Sequence, residues 1–216
     1  MTEDVSTKID SFFSDYRLRK YAKGQVLILN GDDAIFVYQL VSGKVKEYEV
    51  TYRGDEIILN VFKPPAFFPM SLAINKTVNQ YIYEAESAIE VRQAPAEAVV
   101  EFIKANPDVL FDLLSRVYRG IDGLLGRIVH LMSGSAQSRL LYELVLEYRR
   151  FGTTSEDGSC QIKLNESDLA ARAGLSRETV SREMKKLNQV GLLEITRSTI
   201  VIPNLARLEN KLVGEL

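Results

Sequence analysis

Leu164–Pro203 reads LNESDLAARAGLSRETVSREMKKLNQVGLLEITRSTIVIP. It contains two short helical patterns broken at Gly174, followed by a β-hairpin pattern. Asn165 is placed to cap the first helix, with Asp168 three residues on in a capping-box-like position. Leu169, Ala170 and Ala173 give that helix one apolar side. Gly174 supplies the backbone freedom that a tight inter-helix turn needs, and Leu175 fills the angle. Ser176 caps a second helix with the apolar stripe Val180, Met184, Leu187 and Val190, closed at Gly191. Leu192–Ile195, a turn at Arg197-Ser198 and Thr199–Ile202 then form the hairpin. This order of elements predicts a winged helix-turn-helix.

The polar face of the second helix carries the chemistry. Its first two turns present Arg177, Glu178, Ser181 and Arg182, and a recognition helix enters the major groove by its N-terminal residues. Arg can fork onto guanine O6 and N7, Glu can accept from cytosine N4, and Ser or Thr can take a phosphate or a base. Ser176, Thr179 and the hairpin residues Arg197 and Ser198 complete the set expected to touch double-stranded DNA. The tetrad alone also fits an ordinary solvated helix face. The hairpin that follows makes that reading much the weaker.

Outward from this module, the chain is long enough for two modest domains and a connector. It has 216 residues, 46% of them hydrophobic, and a net charge of −2. The charge is not that of a protein that coats nucleic acid at large. From Ser176 to Lys211, however, seven basic residues stand against four acidic ones, a local surplus of the kind that sequence-specific contact needs. No apolar run approaches 18 residues and no secretory leader pattern opens the chain, so the expectation is a cytoplasmic protein with no membrane partner.

The middle of the chain carries an assembly signal. Leu110, Leu114, Val117, Ile121, Leu124, Ile128 and Leu131 alternate spacings of four and three, the seam of a coiled coil. Asn106 and Pro107 mark the helix start. A homodimer is expected, because helix-turn-helix readers address two half-sites about one duplex turn apart; burial in a single-chain core is the alternative. A second stripe, Phe111, Tyr118, Leu125 and Met132, is expected to pack on the chain's own domains. Gly120, Gly123 and Gly126 each cost roughly 1 kcal/mol against alanine in a helix and imply either close helix approach or a bend. Met132–Ser135 reads as a hinge, and the amphipathic Ala136–Phe151 as a helix covering the reader's core. The N-terminal part reads as strands at Arg17–Ala22, Val26–Leu29, Ile35–Val41, Lys44–Thr51, Glu56–Val61, Tyr81–Ala85 and Ala88–Gln93, with turns at Lys23-Gly24, Asn30–Asp32, Ser42-Gly43 and Arg53–Asp55. Such a series suggests a β-roll or jelly roll.

Gly174–Arg182, Gly-Leu-Ser-Arg-Glu-Thr-Val-Ser-Arg, resembles the recognition helix of the Crp/Fnr superfamily of bacterial transcription factors, and the chain resembles it in outline throughout. Arg177-Glu178 with Arg182 is similar to the cyclic-AMP receptor branch, and Glu178 with Ser181-Arg182 to the oxygen-sensor branch. The resemblance implies an α+β architecture: a cyclic-nucleotide-binding-like β-roll (1–106), a long dimerisation helix and hinge (107–134) and a winged helix-turn-helix (135–216). It implies that Glu178 and Arg182 read the shared core of an inverted repeat with TGTGA- or TTGA-like half-sites, and that RNA polymerase is a partner. The segments Lys23–Val26 and Phe36–Val45 resemble the family's β-roll.

The ligand cassette departs from the family. Cyclic-nucleotide binders use a Gly-Glu pair for the ribose and an Arg-Ser-like run for the phosphate, the Arg supplying charge-assisted forked bonds. Here Phe67–Ala85 reads FFPMSLAINKTVNQYIYEA, with Pro69-Met70 in place of Gly-Glu and Asn79-Gln80 where the Arg belongs. No tight cAMP or cGMP binding is expected. An aromatic and apolar cluster of Pro64, Pro65, Phe67–Met70, Tyr81 and Tyr83 either receives a different small effector or simply fills the roll. The candidate effector residues are Phe68, Met70, Ser71, Lys76, Asn79, Gln80 and Tyr81. A cyclic-nucleotide-responsive regulator with a non-standard pocket is the runner-up, and a protein-binding scaffold the third reading.

Lone Cys160, placed in a loop before the strand Gln161–Leu164, and lone His130 exclude an intrachain disulfide and an iron–sulfur sensor, which needs several thiolates. No metal or other cofactor is expected. An enzyme would need a nucleophile, a base and an orienting group, and no such set is present.

Overall fold

The turn-punctuated alternation that begins at Arg17 folds into two antiparallel four-stranded sheets. The computed structural model describes residues 4–196 and 199–215, and the chain divides into two units, Met1–Val117 and Tyr118–Leu216. Unit 1 comprises α1 (Val5–Ser14), β1 (Leu18–Tyr21), β2 (Val26–Ile28), β3 (Phe36–Ser42), β4 (Val45–Val50), β5 (Glu56–Phe62), β6 (Ala66–Phe68), α2 (Met70–Asn75), β7 (Ile82–Ala85), β8 (Ile89–Pro95), α3 (Ala96–Ala105) and the start of α4 (Pro107–Ser133). One sheet runs β1-β8-β3-β6 and the other β2-β7-β4-β5. All seven expected strands are present within a residue or two at each end. Strand β6 was not anticipated; it is three residues long and flanked by Pro65 and Pro69, which cannot donate to a ladder.

Side-chain alternation splits the first sheet's residues between two cores. Val37 of β3 and Phe67 of β6 join Ile9, Phe13, Val99 and Ile103 in a cluster with α1 and α3. Their neighbours Tyr38, Leu40 and Phe68 face the roll interior, together with Val45, Tyr83, Ala85 and Val91. Each fully buried side chain of this size contributes about 1.5–3 kcal/mol relative to an exposed one.

Unit 2 takes up the rest of α4 and adds α5 (Ala136–Phe151), β9 (Thr153–Thr154), β10 (Cys160–Lys163), α6 (Glu166–Ala173), α7 (Arg177–Gln189), β11 (Glu194–Thr196), β12 (Thr199–Ile202) and α8 (Leu205–Val213). Its sheet runs β11-β12-β10-β9. Leu140, Leu141, Leu144 and Val145 of α5 cover Leu169, Val180, Met184, Leu187, Leu193 and Ile202, as the amphipathic pattern requires. Two expectations are corrected. Val190 is exposed, because α7 ends at Gln189 and the left-handed Gly191 turns the chain away. Cys160 opens β10 and lies in the core, since its strand position faces inward. Helix α8 was not anticipated, although Leu205, Leu208 and Leu212 carry its spacing and pack on this core.

Helix α4 has two different sides. Within unit 1, Val109 is fully buried and Leu113 packs beside it. Within unit 2, Gly123, Arg127 and His130 face α5. The Tyr142 hydroxyl donates to the Gly123 carbonyl at 3.0 Å. Arg127 forks onto Glu143 at 2.5 and 2.9 Å, and His130 Nδ1 lies 2.6 Å from Ser138 Oγ. A Cβ on Gly126 would stand 1.9 Å from the Tyr142 hydroxyl oxygen, whereas Gly120 faces open space. Gly126 and, with Leu146 3.6 Å from a Cβ built there, Gly123 therefore serve close approach of α5, and Gly120 does not. The seam Leu110, Leu114, Val117, Ile121, Leu124, Ile128 and Leu131 is 40–51% exposed. Phe111, Tyr118, Leu125 and Met132, expected to pack on the chain's own domains, are 55–83% exposed. The inward positions precede the seam by one residue and this stripe follows it by one. At about 100° per residue the two apolar stripes therefore share the outward side. Between α4 and α5 only Gly134 and Ser135 intervene, and Ser135 Oγ caps α5 by accepting the Ser138 N–H at 3.1 Å.

Candidate nucleic-acid interface and sensor interior

The reader is assembled by caps and one left-handed residue. Asn165 Oδ1 accepts the Asp168 N–H at 2.8 Å, and its amide reaches the Asp168 carboxylate at 2.7 Å, which completes the box at the start of α6. Gly174 ends α6 at φ 61°, ψ 40°, a conformation that costs a non-glycine residue roughly 1–2 kcal/mol. Ser176 Oγ accepts the Thr179 N–H at 3.2 Å and lies 3.0 Å from Thr179 Oγ1. Both hydroxyls thus serve the N-terminus of α7.

Buried Val180, Met184 and Leu187 fix the rotation of α7 about its axis. That leaves Arg177, Glu178 and Arg182 exposed and Ser181 half-buried. Glu178, Ser181 and Arg182 line a groove of about 480 Å³ together with Lys185, Lys186 and Gln189. Arg177 stands at the helix start outside that groove, and Arg197 and Ser198 lie outside the described residues. Lys185, Lys186 and Gln189 were missed in the sequence, although they continue the three-and-four spacing of Glu178, Ser181 and Arg182. Glu183, also missed, is buried between Gln137, Arg182 and Lys186.

A line of buried charge runs behind the reader. Glu143 and Glu147 stand one turn apart on α5. Glu143 holds Arg127 of α4, and Glu147 holds Arg172 of α6. Each carboxylate is 2% exposed at the side chain. Such pairs add little net stability over apolar replacements, but removing one member is severely destabilising.

The structure does not gather the candidate effector residues of unit 1 at one cavity. Phe68 is buried in the roll, stacked on Phe62 at 4.9 Å, Tyr83 at 5.6 Å and Tyr38 at 5.8 Å between centroids. Met70 belongs to the helix-side cluster, Ser71 is exposed on α2, and Lys76 is the exposed left-handed cap of that helix. Asn79 is buried, its amide donating to the carbonyls of Leu29 and Tyr81 and its Oδ1 accepting the Tyr81 N–H. It staples a turn. Gln80 and Tyr81 are exposed. Tyr38 and Phe62, which complete the stack, sit on strands outside the cassette and could have been found from strand alternation.

The Tyr83 hydroxyl donates to Glu47 at 2.8 Å. Burial, reinforced by that carboxylate, pushes the phenol above its ordinary range. Leu27, Ile28, Asp32, Asp33, Ala34, Ile35, Phe36, Tyr38 and Pro69 border a shallow groove of about 250 Å³. It carries two carboxylates and no cation, so these residues do not fit a cyclic phosphate. Among the described residues, no group of His, Cys, Asp and Glu is arranged to hold a metal ion, and no helix is long and apolar enough to cross a membrane.

A β-roll, a long helix with an exposed apolar side and a winged reader with an exposed Arg/Glu face together define a DNA-binding transcription regulator. Residues 18–106 match the family model of the cyclic nucleotide-binding domain, and residues 138–211 that of the Crp-like helix-turn-helix domain. The chain belongs to the Crp/Fnr superfamily of bacterial transcription regulators. It is 28% identical over 191 residues to the global nitrogen regulator of Synechocystis, covering 85% of this chain and 83% of that one. To the cAMP-activated global transcriptional regulator CRP of Pasteurella multocida it is 26% identical over 203 residues, 93% and 97% of the two chains. A solved CooA mutant from Carboxydothermus hydrogenoformans shares the fold with a TM-score of 0.81 at 18% identity, over 98% of this chain and 97% of that one.

Proposed function

We propose that the protein is a cytoplasmic homodimeric regulator that reads an inverted repeat with TGTGA- or TTGA-like half-sites and makes contact with RNA polymerase. The observation that carries this reading is the exposed Glu178–Ser181–Arg182 face of a capped helix whose other side is locked into the core. The outward apolar side of α4 supports dimerisation, with Leu110, Leu114, Val117, Ile121, Leu124, Ile128 and Leu131 forming the seam between two copies. Arg182 and Glu178 read the core of each half-site. Arg177, Ser181 and the hairpin residues Arg197 and Ser198 contribute flanking contacts, and Lys185 and Lys186 meet phosphates.

The roll does not respond to cyclic nucleotides. Its interior is filled by stacked aromatic rings, and the cassette Phe67–Ala85 holds no arginine to clamp a cyclic phosphate. Control rests on a different small effector or on the abundance of the protein. Fluorescence anisotropy with a duplex containing inverted TGTGA/TCACA half-sites tests the readout. Arg182→Ala should lose about 1–3 kcal/mol per half-site. Retained affinity and selectivity in that variant would reject the assignment. Sub-micromolar cAMP binding by calorimetry would reject the second part.

A further inference from the structure

The apolar stripe of α7 has one member of the wrong kind. Val180, Met184 and Leu187 are buried, and the position that completes an i, i+3, i+4, i+7 face is occupied by Glu183. Its side chain is 7% exposed. Oε1 accepts from Lys186 Nζ at 2.8 Å and from Arg182 Nε at 3.4 Å, and Oε2 accepts from Gln137 Nε2, in the first turn of α5, at 3.3 Å. The Lys186 ammonium outweighs burial and, with Arg182 adding to it, holds the carboxyl below the ordinary carboxylate range. A buried carboxylate is not there for stability, since apolar side chains in such positions are commonly as good or better. What it does is geometric. With Nε bonded to Glu183, the two terminal nitrogens of Arg182, whose side chain is largely exposed, hold no partner among the described residues.

We propose that Glu183 is a positioning residue for base recognition: from inside the core it orients Arg182 for an end-on, two-bond contact with a guanine and ties that orientation to the first turn of α5. This rests on the assignment of Arg182 as a base reader. Glu183 touches no base. It narrows the directions from which Arg182 can approach the groove, and therefore raises discrimination between base pairs more than affinity for DNA at large. Its negative charge opposes non-specific attraction in the same step.

The test uses the full chain and duplexes that the wild-type protein selects from a random pool, each compared with the same duplex altered at the base pair read by Arg182. Glu183→Leu completes the apolar stripe. It should melt at or above the wild-type temperature, lose at least fivefold in the ratio of affinities for selected and altered duplex, and bind random-sequence duplex no more weakly. Arg182→Ala should abolish the ratio, and the double variant should lose no more than Arg182→Ala alone. An unchanged ratio in Glu183→Leu, or losses that add in the double variant, would overturn the proposal. If Glu183→Leu fails to fold, Glu183→Gln, which keeps the volume and removes the charge, carries the same two criteria. If Arg182→Ala itself keeps the wild-type ratio, the reader assignment has failed, which is distinguishable from a failure confined to Glu183.

Discussion

Alanine at Gly126 and at Gly120 should move stability in opposite directions, although both replace a glycine in the same helix. At either position alanine gains up to about 1 kcal/mol of intrinsic helix preference. At Gly120 a Cβ meets nothing within 4 Å, so that gain stands alone. At Gly126 the new Cβ would lie 1.9 Å from the Tyr142 hydroxyl oxygen and 2.4 Å from its Cζ. The ring has to leave. It then gives up its bond to the Gly123 carbonyl, about 1 kcal/mol, and its contact with the His130 ring at 4.6 Å between centroids, about 0.5–1.5 kcal/mol for a ring pair. Loss of α5 packing adds to this, at about 1–3 kcal/mol for an overpacked site. The net expectation is a destabilisation of about 1.5–4.5 kcal/mol for Gly126→Ala against a stabilisation of up to about 1 kcal/mol for Gly120→Ala. At roughly 2–4 °C per kcal/mol for a chain of this size, the two melting temperatures should straddle the wild type. Differential scanning calorimetry measures this directly, and Gly126→Ala combined with Tyr142→Ala should recover part of the loss relative to the sum of the single changes. Equal behaviour of the two alanine variants would refute the close-approach account of these glycines.

Leu124→Glu places a charge in the middle of the exposed seam of α4; sedimentation velocity should show a single subunit, and operator affinity should fall at least tenfold, so a persistent dimer would reject the seam. Glu147→Ala leaves Arg172 buried without its carboxylate and should cost about 3–5 kcal/mol, whereas Glu147→Leu with Arg172→Met should cost far less; chemical denaturation separates the two. Burial lowers the His130 pKa from 6.5, so the unfolded chain binds the proton more tightly there. Stability is therefore complete above about pH 6.5 and declines as pH falls through the window below it. The slope of melting temperature against pH between 7 and 5.5 should flatten in His130→Asn, and an unchanged slope would remove His130 as its source.

The reader was legible because its signals are local. A capping Asn or Ser three residues ahead of the amide it accepts, a glycine at the one left-handed position and a three-and-four apolar stripe are all settled within a few residues. The strands of the roll were legible for the same reason, through alternation and turn residues. What escaped were short elements whose existence depends on distant partners. Strand β6 is held by three pairings to β3, and α8 by the core it closes. The glycines of α4 pointed to either a bend or close approach, and only the position of Tyr142 separates the two.

From the order of its residues alone, the chain specified a winged reader, a roll and a long helix with a seam, together with the side chains that face the groove, because periodicity and capping are properties of neighbouring residues. Folding in three dimensions had to supply the rest. It buried Glu183 between Arg182 and Lys186 of its own helix and Gln137 of α5, set the Glu143–Glu147 line against Arg127 and Arg172 of other helices, filled the roll with Tyr38, Phe62, Phe68 and Tyr83 from separate strands, and dispersed the cassette residues Met70, Lys76 and Asn79 over a core, a cap and a turn. Those outcomes depend on which side chains meet across many tens of residues, and charge and volume act at such meetings only once the chain has closed.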